Sequence, residues 1–337
     1  MAKLIRIIFF FPIHLLLWLI IRIRHFLYDL GIFPSTGFAV PVICIGNLET
    51  GGSGKTPMAD YLIAGFCDRK KIAFLSRGYG RRTKGFRWLS QCSGPDEAGD
   101  EPWQLYSRWK EKIVFAVDEN RVRGIQRILA EKPETNLIIL DDAFQHRAIR
   151  AGLNILLTPF KQPFYQNYLF PAGSLRDIRE AAGRASILVF SKANQADQKS
   201  LDKAIKSLQN AGLNDKEVYV SEVVYGQARN AEGAGLSPDS AVICMAGLAS
   251  NEAFFEHCES RYKVLRKISL PDHYRYTAKF FQRENNSASD TILCTEKDFA
   301  KIMTVFPFPQ KVFYLPVHIR IFPEESFFNG IEKYLSA

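Results

Sequence analysis

No two of the six cysteines, Cys44, Cys67, Cys92, Cys244, Cys258 and Cys294, stand at the C-x-x-C spacing that zinc and redox sites use. Sites of that kind are therefore not expected, and the cysteines read as reduced, mostly buried residues of a cytosolic chain. His257 beside Cys258 does not alter this, because adjacent helical residues point in different directions and no second ligand pair is near. Low-complexity tracts and repeats of solenoid period are also lacking, which sets aside stacked-repeat and largely disordered folds. The one long apolar run, Ile7 to Ile21, falls short of the roughly 17 to 25 residues a spanning helix needs, and Pro12 and His14 interrupt it. It is followed by RIRHFLYDLG rather than a small-residue cleavage site, so it is no secretory signal.

What is present at that end is IIFFFPIHLLLWLII, apolar on every face and flanked by Lys3, Arg6, Arg22 and Arg24. The pattern predicts an interfacial anchor, with the basic residues on anionic headgroups and Phe and Trp in the acyl boundary, lying on or in one leaflet; a core helix is the alternative. Over the whole chain 44 Lys and Arg stand against 35 Asp and Glu, a formal charge of +9. That balance suits a phosphate-bearing partner such as a nucleotide, a nucleic acid or an anionic bilayer, and charge alone does not choose among them.

The 337 residues suffice for two domains, since a single core stops growing at about 250 to 300. Short apolar runs, VPVICIGN, KIAFLS, KIVFAVD, NLIILDD, LNILLT and ASILVFSK, alternate with helical stretches such as Pro57 to Asp68 and Asn120 to Lys132. This predicts an α/β fold with a doubly wound parallel sheet, its ligand site beyond the carboxyl ends of the strands. A second, smaller α/β pattern follows the Gly- and Ala-rich GQARNAEGAG, with AVICMAGL, NEAFFEHCESRY and TILCTEKDFAKI, while EVYVSEVVY and KVFYLPVHIRI read as connecting strands. The expected division is a membrane-associating helix over 1–30, a P-loop domain over 31–217, connector strands and a smaller α/β domain over 218–321, and a terminal helix over 322–337.

The first strand runs into LETGGSGKTP and a helix, the context a P-loop requires. Gly51, Gly52, Ser53 and Gly54 turn backbone N–H groups inward at a helix start, Lys55 reaches the β- and γ-phosphates, Thr56 offers its hydroxyl to Mg²⁺, and Pro57 is tolerated in the first turn. Glu49 stands where the strict motif has glycine. NLIILDD ends in Asp141 and Asp142, carboxylates suited to Mg²⁺. In SKAN at 191–194, Asn194 replaces the acceptor-only carboxylate that reads guanine, which favours ATP over GTP.

The motifs IGNLETGGSGKTP, LSRGYGRR, AGDEP, LDDAFQHR, FPAGSLRD, LPDHYRY and CTEKD, in this order, resemble the tetraacyldisaccharide 4′-kinases of lipid A biosynthesis across nearly the whole chain. The resemblance implies transfer of the ATP γ-phosphate to the 4′-hydroxyl of an acylated glucosamine disaccharide 1-phosphate, at the cytoplasmic face of a bacterial inner membrane. Peripheral or monotopic attachment, no nucleic-acid partner and no required oligomer go with it. It further implies that Asp100 is base or orienter for the sugar hydroxyl with His273 assisting, and that Glu101, Asp141 and Asp142 serve Mg²⁺. Asn47, Tyr79, Arg121 and Arg176 fall where the family binds its acceptor, and Gln145 and His146, close to the Asp pair, are expected to join the same acceptor site. Glu49, Ala143 and Tyr274 depart from the usual pattern. The competing readings are a P-loop nucleotide-binding regulator and a GTPase-like metallochaperone, the latter calling for a guanine-reading carboxylate and a cysteine cluster that the chain lacks.

Overall fold

The computed structural model describes residues 2–277, 279–281, 291–303, 305 and 311–336, with backbone alone over 2–11. The chain forms two compact units, each assembled from separated segments. The first comprises Met1–Ser76, Asn120–Val223 and Ile319–Ala337; the second comprises Arg77–Glu119 and Val224–His318. The contiguous division expected from sequence differs from these units at 77–119, which holds most of SRGYGRR and GDEP, and at 218–223 and 319–321. The apolar runs show where strands lie, but periodicity carries no information about which unit a strand joins.

In the first unit, β1 (Val42–Asn47), β2 (Ile72–Ser76), β5 (Leu137–Asp141), β6 (Leu153–Pro159) and β7 (Ile187–Ser191) are parallel, as is the start of β8 (Glu217–Tyr225) against β7. Their order is β13-β8-β7-β6-β1-β5-β2, where β13 is Val317–Phe322. Every residue of β1, β2, β5 and β7 is buried, as expected of parallel strands covered on both faces. The central place of β1 matters for the chemistry. Its neighbour β5 pairs Asp141 with Ile45, so the P-loop and the acidic pair leave the same edge of the sheet side by side.

The helix expected from Pro57 spans Lys55–Phe66, and the one expected from Asn120 spans Arg121–Glu131 with the Asn120 side chain capping Arg123 N. The helix Glu324–Ser336 packs on this unit: Tyr334 Oη lies 3.2 Å from Val42 N, and Phe328 fills the space that a methyl on Gly65 would take. Pro316 splits the run KVFYLPVHIRI into β12 (Val312–Leu315) and β13, which join different sheets.

The amino-terminal helix is longer than its apolar run, Ala2–Asp29, and no helix among the described residues is long and apolar enough to cross a membrane. Ile13, Leu15, Leu16, Leu19, Ile20, Ile23 and Phe26 are exposed along it. Side chains of Lys3 and Arg6, expected to flank the run, lie outside the described residues. Arg24, expected to face headgroups, instead donates to the Gln145 carbonyl at 2.7 Å. Next to it the buried His25 holds Asp177 through Nε2 at 2.7 Å, while Arg147 Nη1 lies 2.9 Å from His25 Nδ1. Arginine cannot accept, so Nδ1 accepts and Nε2 carries the proton. Arg147 also donates to the Asp29 carboxylate at 2.6 Å. The helix base is thereby tied to the loops that carry Gln145 and Arg176.

In the second unit, β9 (Ala241–Ala246), β10 (Lys263–Ser269), β11 (Ile292–Thr295) and β12 form a parallel sheet in the order β10-β9-β11-β12. The helix Glu252–Arg261 falls on NEAFFEHCESRY, and the helix Glu296–Ile302 falls within TILCTEKDFAKI. Strand β10 was not foreseen: its Lys263, Arg266 and Lys267 mask a strand, yet charges of this kind are what protects an exposed sheet edge. Two further strands, β3 (Arg87–Trp88) and β4 (Val114–Val117), pair antiparallel.

Candidate active site

The P-loop conformation follows from its glycines. Gly51 and Gly54 take φ of 108° and 90°, left-handed values open to glycine, and Gly54 places the first turn of the helix Lys55–Phe66 directly behind the loop. Gly46, at the end of β1, has a different reason: a methyl there would sit 2.4 Å from Phe144 Cβ, so only glycine admits the loop after the acidic pair.

Asn47, completely buried, is the hub of the first unit's site. Its Oδ1 accepts from Lys55 Nζ at 3.3 Å and from Arg176 Nη2 at 2.5 Å, its carbonyl accepts from Gln145 Nε2 at 2.9 Å, and its Nδ2 donates to the Glu49 carbonyl at 2.9 Å. Arg176 grips both oxygens of Asp142, with Nη1 at 3.0 Å from Oδ2, and Lys55 Nζ stands 3.7 Å from Oδ1. Burial pushes the Asp142 carboxyl up, but the hydrogen bond from Arg176 and the charge of Lys55 outweigh it and hold the group below the usual carboxylate range. Arg121, buried at the start of its helix, adds its charge to the same carboxylate. Asp141 is buried at the end of β5, and His146 closes a turn onto the Ala143 carbonyl at 2.8 Å. Asn47, Arg176 and Gln145, assigned to the acceptor by resemblance, are here engaged in holding Lys55, Asp142 and the loop between them.

Glu49 is buried, its Oε1 accepting from Thr158 Oγ1 at 3.1 Å, and burial pushes its carboxyl up to about 7. The folded protein therefore binds a proton here that the unfolded chain, at 4.5, releases. Stability is fully present below pH 4.5, is lost as pH rises through about 7, and then levels off, for a loss of up to about 3 kcal/mol. Glu49→Gln keeps a partner for Thr158 and should remove this slope. Thermal melts of both proteins at pH 5 and pH 8 check it, and parallel pH dependences would refute it.

Asn194 spends both ends of its amide on strand β8, donating to the Val223 carbonyl at 2.6 Å and accepting from Val223 N at 2.9 Å. It is unavailable to read a base, in keeping with the argument against GTP.

The second unit gathers Tyr79, Asp100, Glu101 and His273. Asp100 Oδ2 lies 3.0 Å from His273 Nδ1, and the Tyr79 ring is 5.4 Å from the imidazole. His273 takes φ of 58°, which with Asp142 and Lys192 makes three of the four non-glycine residues at positive φ among the described residues. Such strain is typical of functional positions. Burial raises the Asp100 carboxyl, but the His273 hydrogen bond and the charges of Lys301 and Lys297 bring it below its ordinary value. Lys301 Nζ is 3.4 Å from Asp100, and Lys297 Nζ is 2.8 Å from Asp272. Sequence reasoning passed over these lysines, although their i,i+4 spacing in EKDFAK sets them on one helix face beside the CTEKD motif. Glu101 occupies the first turn of the helix Asp100–Trp109, where its charge raises Lys297 against the lowering effect of burial.

Comparison with known proteins bears on both units. The family described as Tetraacyldisaccharide-1-P 4'-kinase matches residues 6–336. Tetraacyldisaccharide 4'-kinase of Cytophaga hutchinsonii is 35% identical over 324 residues, covering 94% of this chain and 92% of that protein. The Flavobacterium psychrophilum protein of the same name is 34% identical over 334 residues, covering 97% and 96%. A crystal structure of "apo" form LpxK from Aquifex aeolicus in complex with ATP is similar at a TM-score of 0.79 and 28% identity, covering 99% of this chain and 100% of that one.

Proposed function

This chain belongs to the tetraacyldisaccharide 4′-kinase family, and on that premise we propose how its own residues transfer the ATP γ-phosphate to the 4′-hydroxyl of a tetraacylated glucosamine disaccharide 1-phosphate. The observation that carries the reading is the P-loop Lys55 held between Asn47 and Asp142 in a chain matched by the family over 6–336. Backbone N–H groups of Gly51 to Gly54 and the helix start receive the phosphates, and Lys55, already positioned, meets the β- and γ-phosphates. Thr56, Asp141 and Asp142 offer hard oxygen donors that fit Mg²⁺. Among the described residues no group of three or more His, Cys, Asp or Glu forms a protein-only metal cage, which matches an ion held by one or two carboxylates together with nucleotide phosphates. When bound, Mg²⁺ supplies charge neutralisation on the transferring group.

Asp100, oriented by His273, takes the proton of the 4′-hydroxyl as its oxygen bonds to the γ-phosphorus and the bond from phosphorus to the ADP oxygen breaks. Tyr79 offers a flat face to a sugar. Arg176, with Asn47 and Gln145, fixes the Asp142 carboxylate and the loop, and Arg121 adds positive charge nearby. The test is incubation of the purified chain with γ-labelled ATP and the detergent-dispersed disaccharide 1-phosphate. Labelled bisphosphorylated lipid is expected. Nucleotide hydrolysis without a phosphorylated lipid would favour the P-loop regulator instead.

The acceptor's acyl chains remain in a bilayer, so the amino-terminal helix is proposed to seat the protein on the cytoplasmic face of the inner membrane. The supporting observation is its exposed Leu16, Ile20 and Ile23, each about half exposed at 59%, 54% and 48%. Being about half exposed, each contributes roughly 0.7 to 1.5 kcal/mol on further burial. Changing all three to Asn leaves Arg24, His25 and Asp29 in place, unlike deletion of the helix, which also removes the Arg24 bond to Gln145. At least about a tenfold loss of vesicle flotation and of turnover on vesicle-embedded acceptor is expected, with little change on detergent-dispersed acceptor. Undiminished flotation would place the membrane contact elsewhere.

A further inference from the structure

Strand β7 ends beside the P-loop, and the residues that leave it have no role in the chemistry described so far. Ser191, its last residue, is buried; a methyl on Gly54 would lie 3.8 Å from Ser191 Cβ. The next residue, Lys192, adopts φ of 58°, a left-handed conformation that costs a non-glycine residue on the order of 1 to 3 kcal/mol. That turn directs the side chain back across the loop, so that a methyl on Gly52 would lie 3.7 Å from Lys192 Nζ.

Two further observations say what the arrangement lacks. The ammonium of Lys192 pairs with no carboxylate among the described residues, whereas Lys55 has Asp142. Partial enclosure and the nearby charge of Lys55 both disfavour its protonated form and hold its pKa below the ordinary lysine value. The hydroxyls of Ser53 and Ser191, in residues only 2% and 3% exposed, find no hydrogen-bond partner among the described residues. Buried hydroxyls left unpaired are costly unless a ligand satisfies them. An uncompensated cation and two orphan donors converge on one stretch of a phosphate-binding loop.

We propose that Lys192 is a second phosphate-binding cation of the nucleotide site, closing on the α- and β-phosphates from the end of β7, with the Ser53 and Ser191 hydroxyls donating beside it. This rests on the nucleotide-binding part of the function above and extends it: Lys55 serves the transferring end of the triphosphate, Lys192 the end that remains on ADP. A cation without a carboxylate partner gains a charge-assisted hydrogen bond to the nucleotide without first loosening an ion pair.

Mg·ADP is the probe, because it carries the α- and β-phosphates without the γ. Equilibrium titration calorimetry on the full chain should show Lys192→Gly binding Mg·ADP about tenfold more weakly than wild type, with Lys192→Arg restoring most of the loss. Glycine suits the left-handed backbone, so Lys192→Gly should melt no lower than wild type and the loss is not one of folding. Competition by adenosine should be unchanged. Lys192→Gly binding Mg·ADP within twofold of wild type would overturn the proposal while leaving the kinase reading intact. An equal loss for adenosine would overturn it in favour of a contact to the base. A wild-type chain that binds neither Mg·ATP nor Mg·ADP would overturn the kinase reading and this one together.

Discussion

Lys55→Ala should lower turnover about 10²- to 10³-fold while the protein melts within a few degrees of wild type. The loss is large because the ammonium opposes charge that builds on the transferring phosphoryl group, in a position fixed beforehand by Asn47 Oδ1 at 3.3 Å. The fold survives because neither neighbour is stranded: Arg176 still pairs with Asp142 and still donates to Asn47. Steady-state kinetics with ATP and detergent-dispersed acceptor, alongside thermal melts of both proteins, check the pair of expectations. Near wild-type turnover would remove Lys55 from the mechanism, and a collapse of the melting temperature would make it structural.

Asp100→Ala and His273→Ala should each lower turnover by a factor on the order of 10² to 10⁴, and the double variant should be scarcely worse than either. The 3.0 Å contact between Asp100 Oδ2 and His273 Nδ1 makes them one device, and removing either half disables the other. His273→Ala leaves Asp100 beside Lys301, so the carboxylate stays compensated. Asp100→Ala removes a partner of the nearly buried Lys301, which retains Asp298 at 3.6 Å; Asp100→Asn, which keeps the shape, separates lost chemistry from lost packing. Losses that multiply in the double variant would mean two independent groups.

How much of this could be read from the sequence depended on whether the signal was local. Strands β1, β5 and β7 are unbroken apolar runs because both their faces are covered, and the glycines at 51 and 54 are demanded by φ, so both were visible as residues in a row. The Asn120 cap announced its helix in the same way. Nothing local announced that Asn47 would be a hub, since its partners Gln145 and Arg176 are 98 and 129 residues away. Lys301, at the end of a short helix, was passed over because only the fold sets it against Asp100. His25 was hidden for the opposite reason: it sits next to an apolar run that invited a membrane reading, while its ring is buried against Asp177.

The braided path of the chain through its two units has a consequence for biosynthesis. The nucleotide-binding unit begins with residues 1–76 and is completed by 319–337, and the other unit is likewise interrupted between 119 and 224. A ribosome therefore releases Lys55 and its loop long before the helix Glu324–Ser336 that covers the P-loop strand has been translated. Contacts closing so many residues of chain form slowly, and until they do the apolar surface that this helix covers stays open to other chains. A premature stop codon anywhere before that helix would thus remove packing from the start of β1 and from the helix Lys55–Phe66 rather than trim a tail.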